Sequence, residues 1–365
     1  MVNQKKALKQ VTKSNLITYA MLAAAFILVE ILTATGVASN KFTGLLVPFC
    51  YYSILAVSLN LVVGILGDLS LGHAGFMCIG AYVGALFSVM CNGTITQSWL
   101  RFLIALILGG IVAGIFGLII GIPVLRLKGD YLAIVTLAFG EIIKNIVNLL
   151  YVGMDSKGLH VSLAKPDAFE LEPDGKMLIN GALGITGTPR DSSFIIAFIL
   201  LLITVFVSLN LINSRTGRAV MSIRDNRIAA ESIGINITHY KLIVFAVSAF
   251  FAGIAGVLYS HNLSSLTATT KNFGYNMSIM ILVFVVLGGI GSTRGSIIAA
   301  VILTALPEVL RELNDYRMLI YAVVLSLLML ANNNEKLNHF KEKIAISNFL
   351  KNKKNGNTLD KEANS

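Results

Sequence analysis

The sequence predicts an all-α, polytopic integral membrane protein of about ten transmembrane helices (eight to ten), with both termini in the cytoplasm. Three observations carry that prediction. Of the 365 residues, 55% are apolar and only 13% charged, whereas a soluble domain carries about 45–50% apolar and about 25% charged residues. That balance leaves too little polar surface for a soluble enzyme and excludes disorder. Second, the apolar residues gather into ten runs, most of them near the roughly 20 residues a helix needs to cross a bilayer. Third, the basic residues fall into a few short segments between those runs, as topology-setting charges do.

Residues 1–15 form a polar, basic segment (Lys5, Lys6, Lys9, Lys13). The run from Leu16 to Gly36 has 21 residues. A signal peptide has a similar basic start but an apolar region of about 7–15 residues, so this run is read as a retained span, with cleavage as the alternative. Further runs occupy 43–66, 71–90, 99–121, 131–150, 193–212, 242–260, 276–290, 297–312 and 318–333. The run 276–290 and the one after it are short for full crossings. All must be helices, because unpaired backbone groups are too costly in lipid. Ten spans and a cytoplasmic N-terminus place 1–15, 67–70, 122–130, 213–241, 291–296 and 334–365 inside, and these hold 19 of the 29 Lys and Arg residues. This is the sign the positive-inside rule requires. The transmembrane domain is thus 16–333, with an outer loop at 151–192, an inner loop at 213–241 and a cytoplasmic tail at 334–365.

The net charge of +10 suggests a nucleic-acid partner only if the cations sit together on a soluble domain, and no segment could form one. Cys50, Cys78 and Cys91 lie in or beside apolar runs without metal-ligand spacing and read as small hydrophobes. The sequence holds no phosphate loop, dinucleotide fingerprint, zinc-protease motif or nucleophile elbow. His73, His160, His239, His261 and His339 form no pair at ligand spacing. The chain is expected not to be an enzyme and to hold no cofactor; if ATP drives it, another subunit binds the ATP.

Four segments carry a mechanism. In Gly64-Ile-Leu-Gly-Asp-Leu-Ser-Leu-Gly-His-Ala-Gly75 four glycines, Asp68, Ser70 and His73 interrupt apolar sequence. Gly67, Asp68, Ser70, Gly72, His73 and Gly75 are candidates for a helix break along a translocation path, since irregular backbone at membrane depth is tolerated only against protein or a cavity. An ordinary polar turn at the cytoplasmic face is the other reading. In Leu125-Arg-Leu-Lys-Gly-Asp-Tyr-Leu-Ala-Ile-Val-Thr-Leu-Ala-Phe-Gly-Glu141, Asp130 is placed to cap a helix. Glu141 and Lys144 are three residues apart inside that helix and can pair, either as a structural couple or in a substrate path. From Gly217 to Asn236, Ile223, Ile228 and Ala229 with Ile233 fall near helical spacing, which predicts a short amphipathic helix closed by Gly234. It lies on lipid or docks into a partner. The fourth segment, with Gly288, Gly289 and Gly291, echoes the first break and hints at internal repetition.

Together these segments resemble the permease subunits of bacterial branched-chain amino acid ABC importers, most nearly the M-type subunit of the leucine/isoleucine/valine system. The resemblance covers roughly 43–333. It rests on Leu69-Ser-Leu-Gly-His-Ala-Gly-Phe, the Leu125–Glu141 stretch, Gly217-Arg-Ala with Arg224-Asp-Asn, Ala229-Ala and Gly234-Ile, Lys241-Leu with Phe245, Ser248-Ala and Ala252-Gly-Ile-Ala-Gly256, and Val286-Leu-Gly-Gly-Ile-Gly. It implies a multi-pass protein of the bacterial inner membrane, paired with a second homologous permease, two ABC ATPases that bind the ATP, and an extracytoplasmic solute-binding protein. It also implies that 213–241 is the ATPase-coupling loop, with Arg224, Asp225, Ala229, Ala230, Glu231 and Gly234 at the contact. Two stretches depart from the family pattern: Met154-Asp-Ser-Lys-Gly-Leu159 and Arg294-Gly-Ser. Urea or a short amide is therefore the alternative substrate, and an ion-gradient-driven transporter the alternative class.

Overall fold

A computed structural model describes residues 2–35, 40–127, 129–155, 158–163, 175–311, 319–320 and 322–326. Among these, eight helices are long and apolar enough to cross a membrane. The first, α1 (Val2–Ala34), joins the basic start and the first span in one helix. It is followed by α2 (Asn40–Asn60), which continues as a π-helix over Leu61–Leu66, then α3 (His73–Met90), α4 (Ser98–Val124) and α5 (Asp130–Leu149). Next come α6 (Phe194–Asn213), two short helices α7 (Arg215–Asp225) and α8 (Arg227–Ser232), and the long α9 (Ile237–Asn262). The eighth crossing is α10 (Thr270–Phe273) continued by α11 (Tyr275–Gly288). The ninth expected span appears as α12 (Thr293–Val309), of 17 residues. Most of the tenth expected span, 318–333, and the whole tail 334–365 lie outside the described residues.

The chain divides into two compact units, Met1–Thr304 and Ala305–Ser365. Within the first, α9 is the hub and packs against α2, α3 and α4. In lipid, helices gain little from burying apolar area against one another, so close backbone approach between small residues must hold them. Here a Cβ on Gly80 would strike the Gly253 backbone, and one on Gly117 would come within 2.6 Å of Ala249 Cβ. The peripheral helices keep apolar faces outward: Leu16, Ile27 and Ile31 on α1, and Ile107, Ile111 and Ile115 on α4, are exposed. These are lipid-facing positions.

The 151–192 loop contains strands that the sequence did not predict. β1 (Tyr151–Asp155), β2 (Gly158–Ser162) and β3 (Lys176–Asn180) form an antiparallel sheet in the order β2-β1-β3. Two-residue strands β4 (Ile185–Thr186) and β5 (Ser265–Leu266) pair with each other, Thr186 opposite Ser265. That pairing puts the 151–192 loop and the α9–α10 connection on one side. The buried guanidinium of Arg101 donates to Asp191 at 2.9 Å on the same side. At the opposite end Lys241 pairs with Asp68. Segments assigned to each side by charge counting therefore meet at their own end of the bundle.

Asp130 does not supply a side-chain cap: Gly129 occupies the cap position and Asp130 is the first helical residue. A carboxylate there still complements the helix dipole.

Candidate functional site

The site is the broken crossing between α2 and α3. Pro48 and Gly44 are accommodated in α2, but the helix leaves α geometry at Leu61. The π-turn beyond it ends at Gly67, whose φ is +80°. A side chain there is strained by that backbone, and its Cβ would come within 2.6 Å of Arg224 Cγ. Residues 67–72 are non-helical.

Where this break lies decides between a turn and an intramembrane interruption. A Cβ on Gly72 would strike the Thr136 carbonyl, and one on Gly75 would sit 2.9 Å from Gly140 Cα. Thr136 and Gly140 are six and ten residues into α5, so about 9 and 15 Å along it at 1.5 Å per residue. With α5 spanning 20 residues, α3 begins part-way across the roughly 30 Å apolar layer. The segment leaves the surface at Gly67 and Leu69, which are exposed, and is buried by Gly72 and His73, where it packs against α5.

Two of its backbone amides find acceptors on neighbouring helices, as irregular backbone packed against a bundle requires. The Leu71 amide donates to Thr136 Oγ1 at 3.0 Å, and the Ala74 amide to Ser278 Oγ at 3.2 Å. His73 shares a 2.7 Å hydrogen bond with Ser58 Oγ and is buried, as is Ser70. Asp68 accepts from Lys241 Nζ at 2.5 Å.

The second glycine-rich break lies against the first. Gly289 and Gly291 have φ of +92° and +85°. The Gly291 amide donates to Asn60 Oδ1 at 2.9 Å, and a Cβ on Gly64 would meet Gly291 Cα within 2.6 Å. Gly288 crosses the backbone of Gly295 so closely that neither position has room for a Cβ.

The 213–241 segment is two helices rather than one, because Asn226 is extended and caps α8 by accepting from the Ala229 amide at 3.0 Å. Gly234 turns the chain with φ +85°. The apolar face also differs from the expected one. Val220, Ile223, Ala230 and Ile237 are buried, while Ile228, Ala229, Glu231 and Ile233 are exposed, Ile228 by 81% and Ile233 by 75%. The helical-wheel reading assumed an unbroken helix; the break at Asn226 rotates α8 relative to α7. Arg224, expected at the ATPase contact, is exposed and also reaches inward. Its Nη1 donates to the Gly64 carbonyl at 3.0 Å, and its Nη2 to Asp225 at 3.2 Å.

Glu141 and Lys144 pair as their spacing predicts. Glu141 Oε1 also accepts from the Tyr275 amide at 2.7 Å, Lys144 Nζ donates to Thr270 Oγ1 at 3.2 Å, and Asn148 to the Ala268 carbonyl at 2.9 Å. α5 is thereby clasped to the start of α11.

Asn60, Thr136 and Ser278 are site residues that sequence reasoning did not single out, and Lys241 entered it only as part of a matched stretch. A polar residue interrupting an apolar run is the signal Asn60 and Thr136 give. Among the described residues, no three His, Cys, Asp or Glu side chains gather to hold a metal ion.

Comparison with known proteins places this arrangement. The family of branched-chain amino acid transport system permease components matches residues 42–331. The high-affinity branched-chain amino acid transport system permease protein LivM of Salmonella typhimurium is 36% identical over 289 residues, 76% of this chain and 66% of the relative. LivM of Escherichia coli is 35% identical over the same shares. LivH, a permease protein of the same system in Salmonella typhimurium, is 25% identical over 258 residues, 69% of this chain and 79% of the relative. The alignment thus spans just under two thirds of either LivM. No solved structure matches the chain.

Proposed function

The chain belongs to the branched-chain amino acid transport permease family, and from that premise we propose that it is the membrane subunit of an ATP-driven importer of branched-chain or other apolar amino acids. It is a multi-pass protein of the cell membrane. In this reading it carries out no chemistry itself and binds no cofactor. Two separate ATPases bind and hydrolyse ATP, a second homologous permease completes the path, and an extracytoplasmic binding protein delivers the solute. That relatives named LivM and LivH both match supports the two-permease arrangement.

The single observation that carries the reading is the sequence match over 42–331, joined to a bundle whose α2–α3 connection is non-helical over 67–72 and packs against α5. Half-helix ends and unwound backbone inside a bundle are how transporters present groups to a solute. Gly67, Asp68, Ser70, Gly72, His73, Gly75, Gly288, Gly289 and Gly291 belong to that interruption and its neighbour. Both termini and the 213–241 loop are cytoplasmic by the excess of cations on that side. On this orientation Ile228, Ala229, Glu231 and Ile233 project into the cytoplasm, and an exposed apolar tip on a rigid helix is a surface for a protein partner.

The test is radiolabelled leucine uptake by cells that depend on this chain. Unlabelled isoleucine and valine are expected to compete and urea not to. Competition by urea alone reassigns the substrate to small amides.

A further inference from the structure

A helix C-terminus leaves four carbonyls without intrahelical partners and concentrates negative partial charge there. The π-turn over Leu61–Leu66 is buried and the chain reaches the surface at Gly67. Two cations flank this end, one on a carbonyl and one on a carboxylate. Arg224 donates to the Gly64 carbonyl at 3.0 Å and lays its aliphatic stem over Gly67. Lys241 pairs at 2.5 Å with Asp68, the first residue beyond Gly67. Lys241 is buried, and Arg224 keeps 40% of its side chain exposed.

These two cations come from opposite ends of one loop. Arg224 stands in the last turn of α7, and Lys241 in the second turn of α9. Between them lies α8 with its exposed Ile228, and after it Ile233. The loop therefore grips the broken helix at two points while its middle stands free. The grip continues inward, since Gly64 packs on Gly291 and Asn60 accepts from the Gly291 amide. π-turns are rare and are frequently found at functional sites.

We propose that Arg224 and Lys241 are positioning residues that carry displacement of the 213–241 loop to both glycine-rich breaks, and that Arg224 acts inward on the π-turn rather than outward on a partner. The proposal rests on the reading of this loop as the ATPase contact. Docking and transmission then fall on different residues: Ile228 and Ala229 face the partner, while Arg224 and Lys241 face the membrane break. A guanidinium suits the inward role because its fork holds a carbonyl and the neighbouring Asp225 at once, which an ammonium cannot match.

The test uses the full chain co-expressed with its ATPases and measures three quantities: ATPase co-purified, ATP hydrolysed and leucine taken up. Arg224→Ala is expected to keep the ATPases bound and to lower uptake per ATP by roughly ten-fold, within the range for change of a coupling contact. Arg224→Lys is expected to recover part of that loss. Ile228→Asp is expected to lose the ATPases themselves. Unchanged uptake per ATP in Arg224→Ala overturns the proposal, as does loss of ATPase binding in that variant. Should Arg224→Ala not reach the membrane, Arg224→Lys is judged by the same ratio, with an unchanged ratio overturning the proposal. Full ATPase binding and uptake in Ile228→Asp refutes instead the reading of the loop on which the proposal depends.

Discussion

Removing Glu141 is expected to destabilise the protein more than removing Lys144, although the two belong to one ion pair. In Glu141→Ala the Lys144 ammonium keeps only Thr270 Oγ1 at 3.2 Å as a partner, and the Tyr275 amide loses its acceptor. The Lys144 side chain is 9% exposed, and stripping one partner from a buried pair costs about 3–5 kcal/mol. In Lys144→Ala the carboxylate that remains is 24% exposed and still accepts from the Tyr275 amide. It also lies at the N-terminus of α11, where the helix dipole favours an anion. That loss should be about 1–3 kcal/mol, the range for a buried group left partly satisfied. The double variant Glu141→Leu/Lys144→Met strands no charge and removes partners only from the neutral Tyr275 amide and Thr270 hydroxyl, so its cost should fall below that of Glu141→Ala alone. The chain supplies its own probe, because Cys50 and Cys78 are buried free thiols. In a Cys91→Ser background, purified protein is heated with a thiol-reactive dye and the labelling midpoints compared. Equal midpoints for the two single variants, or a lower one for Lys144→Ala, would refute the reasoning. Uptake by the double variant then separates a structural clasp, which leaves transport intact, from a residue pair in the solute path.

Three further outcomes rest on the geometry. Gly72→Ala should reduce uptake sharply with the protein still in the membrane, because the added Cβ meets the Thr136 carbonyl, whereas Gly93→Ala has open space around it and should be silent. Immunoblots of membranes and leucine uptake check both; normal uptake by Gly72→Ala makes the close approach irrelevant to transport. In a cysteine-free background, an impermeant thiol reagent should label Leu183→Cys in intact cells and leave Ile228→Cys unlabelled, although both positions are exposed. Labelling of Ile228→Cys inverts the topology. Thr186→Cys with Ser265→Cys should form a disulfide on mild oxidation, since the two are cross-strand partners, detected as a fragment that stays linked after proteolysis between them.

Much of the bundle was legible in the sequence because lipid imposes a simple rule: a run long enough and apolar enough must be a helix. The boundaries of α2 to α6 match the apolar runs to within a few residues, and Glu141 meets Lys144 because helical spacing alone brings them together. The breaks were legible as glycine clusters, yet their depth was not. Depth depends on which residues of α5 face Gly72 and Gly75, and no local pattern contains that contact. The short strands were missed for a similar reason: β4 exists only because Ser265, some eighty positions away, supplies its partner. Around residues 223–233 the wheel analysis failed at one residue. Asn226 prefers to cap through its side chain rather than continue a helix, and the resulting interruption turns Ile228 and Ile233 outward. The inward contact of Arg224 was not legible because its acceptor, the Gly64 carbonyl, is a backbone group freed by a π-turn that sequence periodicity does not announce.

Energy supply is the point on which the whole account stands. On the proposed reading, accumulation depends on ATP spent by separate subunits bound at the loop side. The direct measurement is leucine accumulation in proteoliposomes that contain this chain, its partner permease, the ATPases and the solute-binding protein, with ATP placed on the side exposing Ile228. The account predicts accumulation above the external concentration with ATP and Mg²⁺, none with a non-hydrolysable analogue, and no response to an imposed proton or sodium gradient. Accumulation driven by an ion gradient without ATP would contradict it.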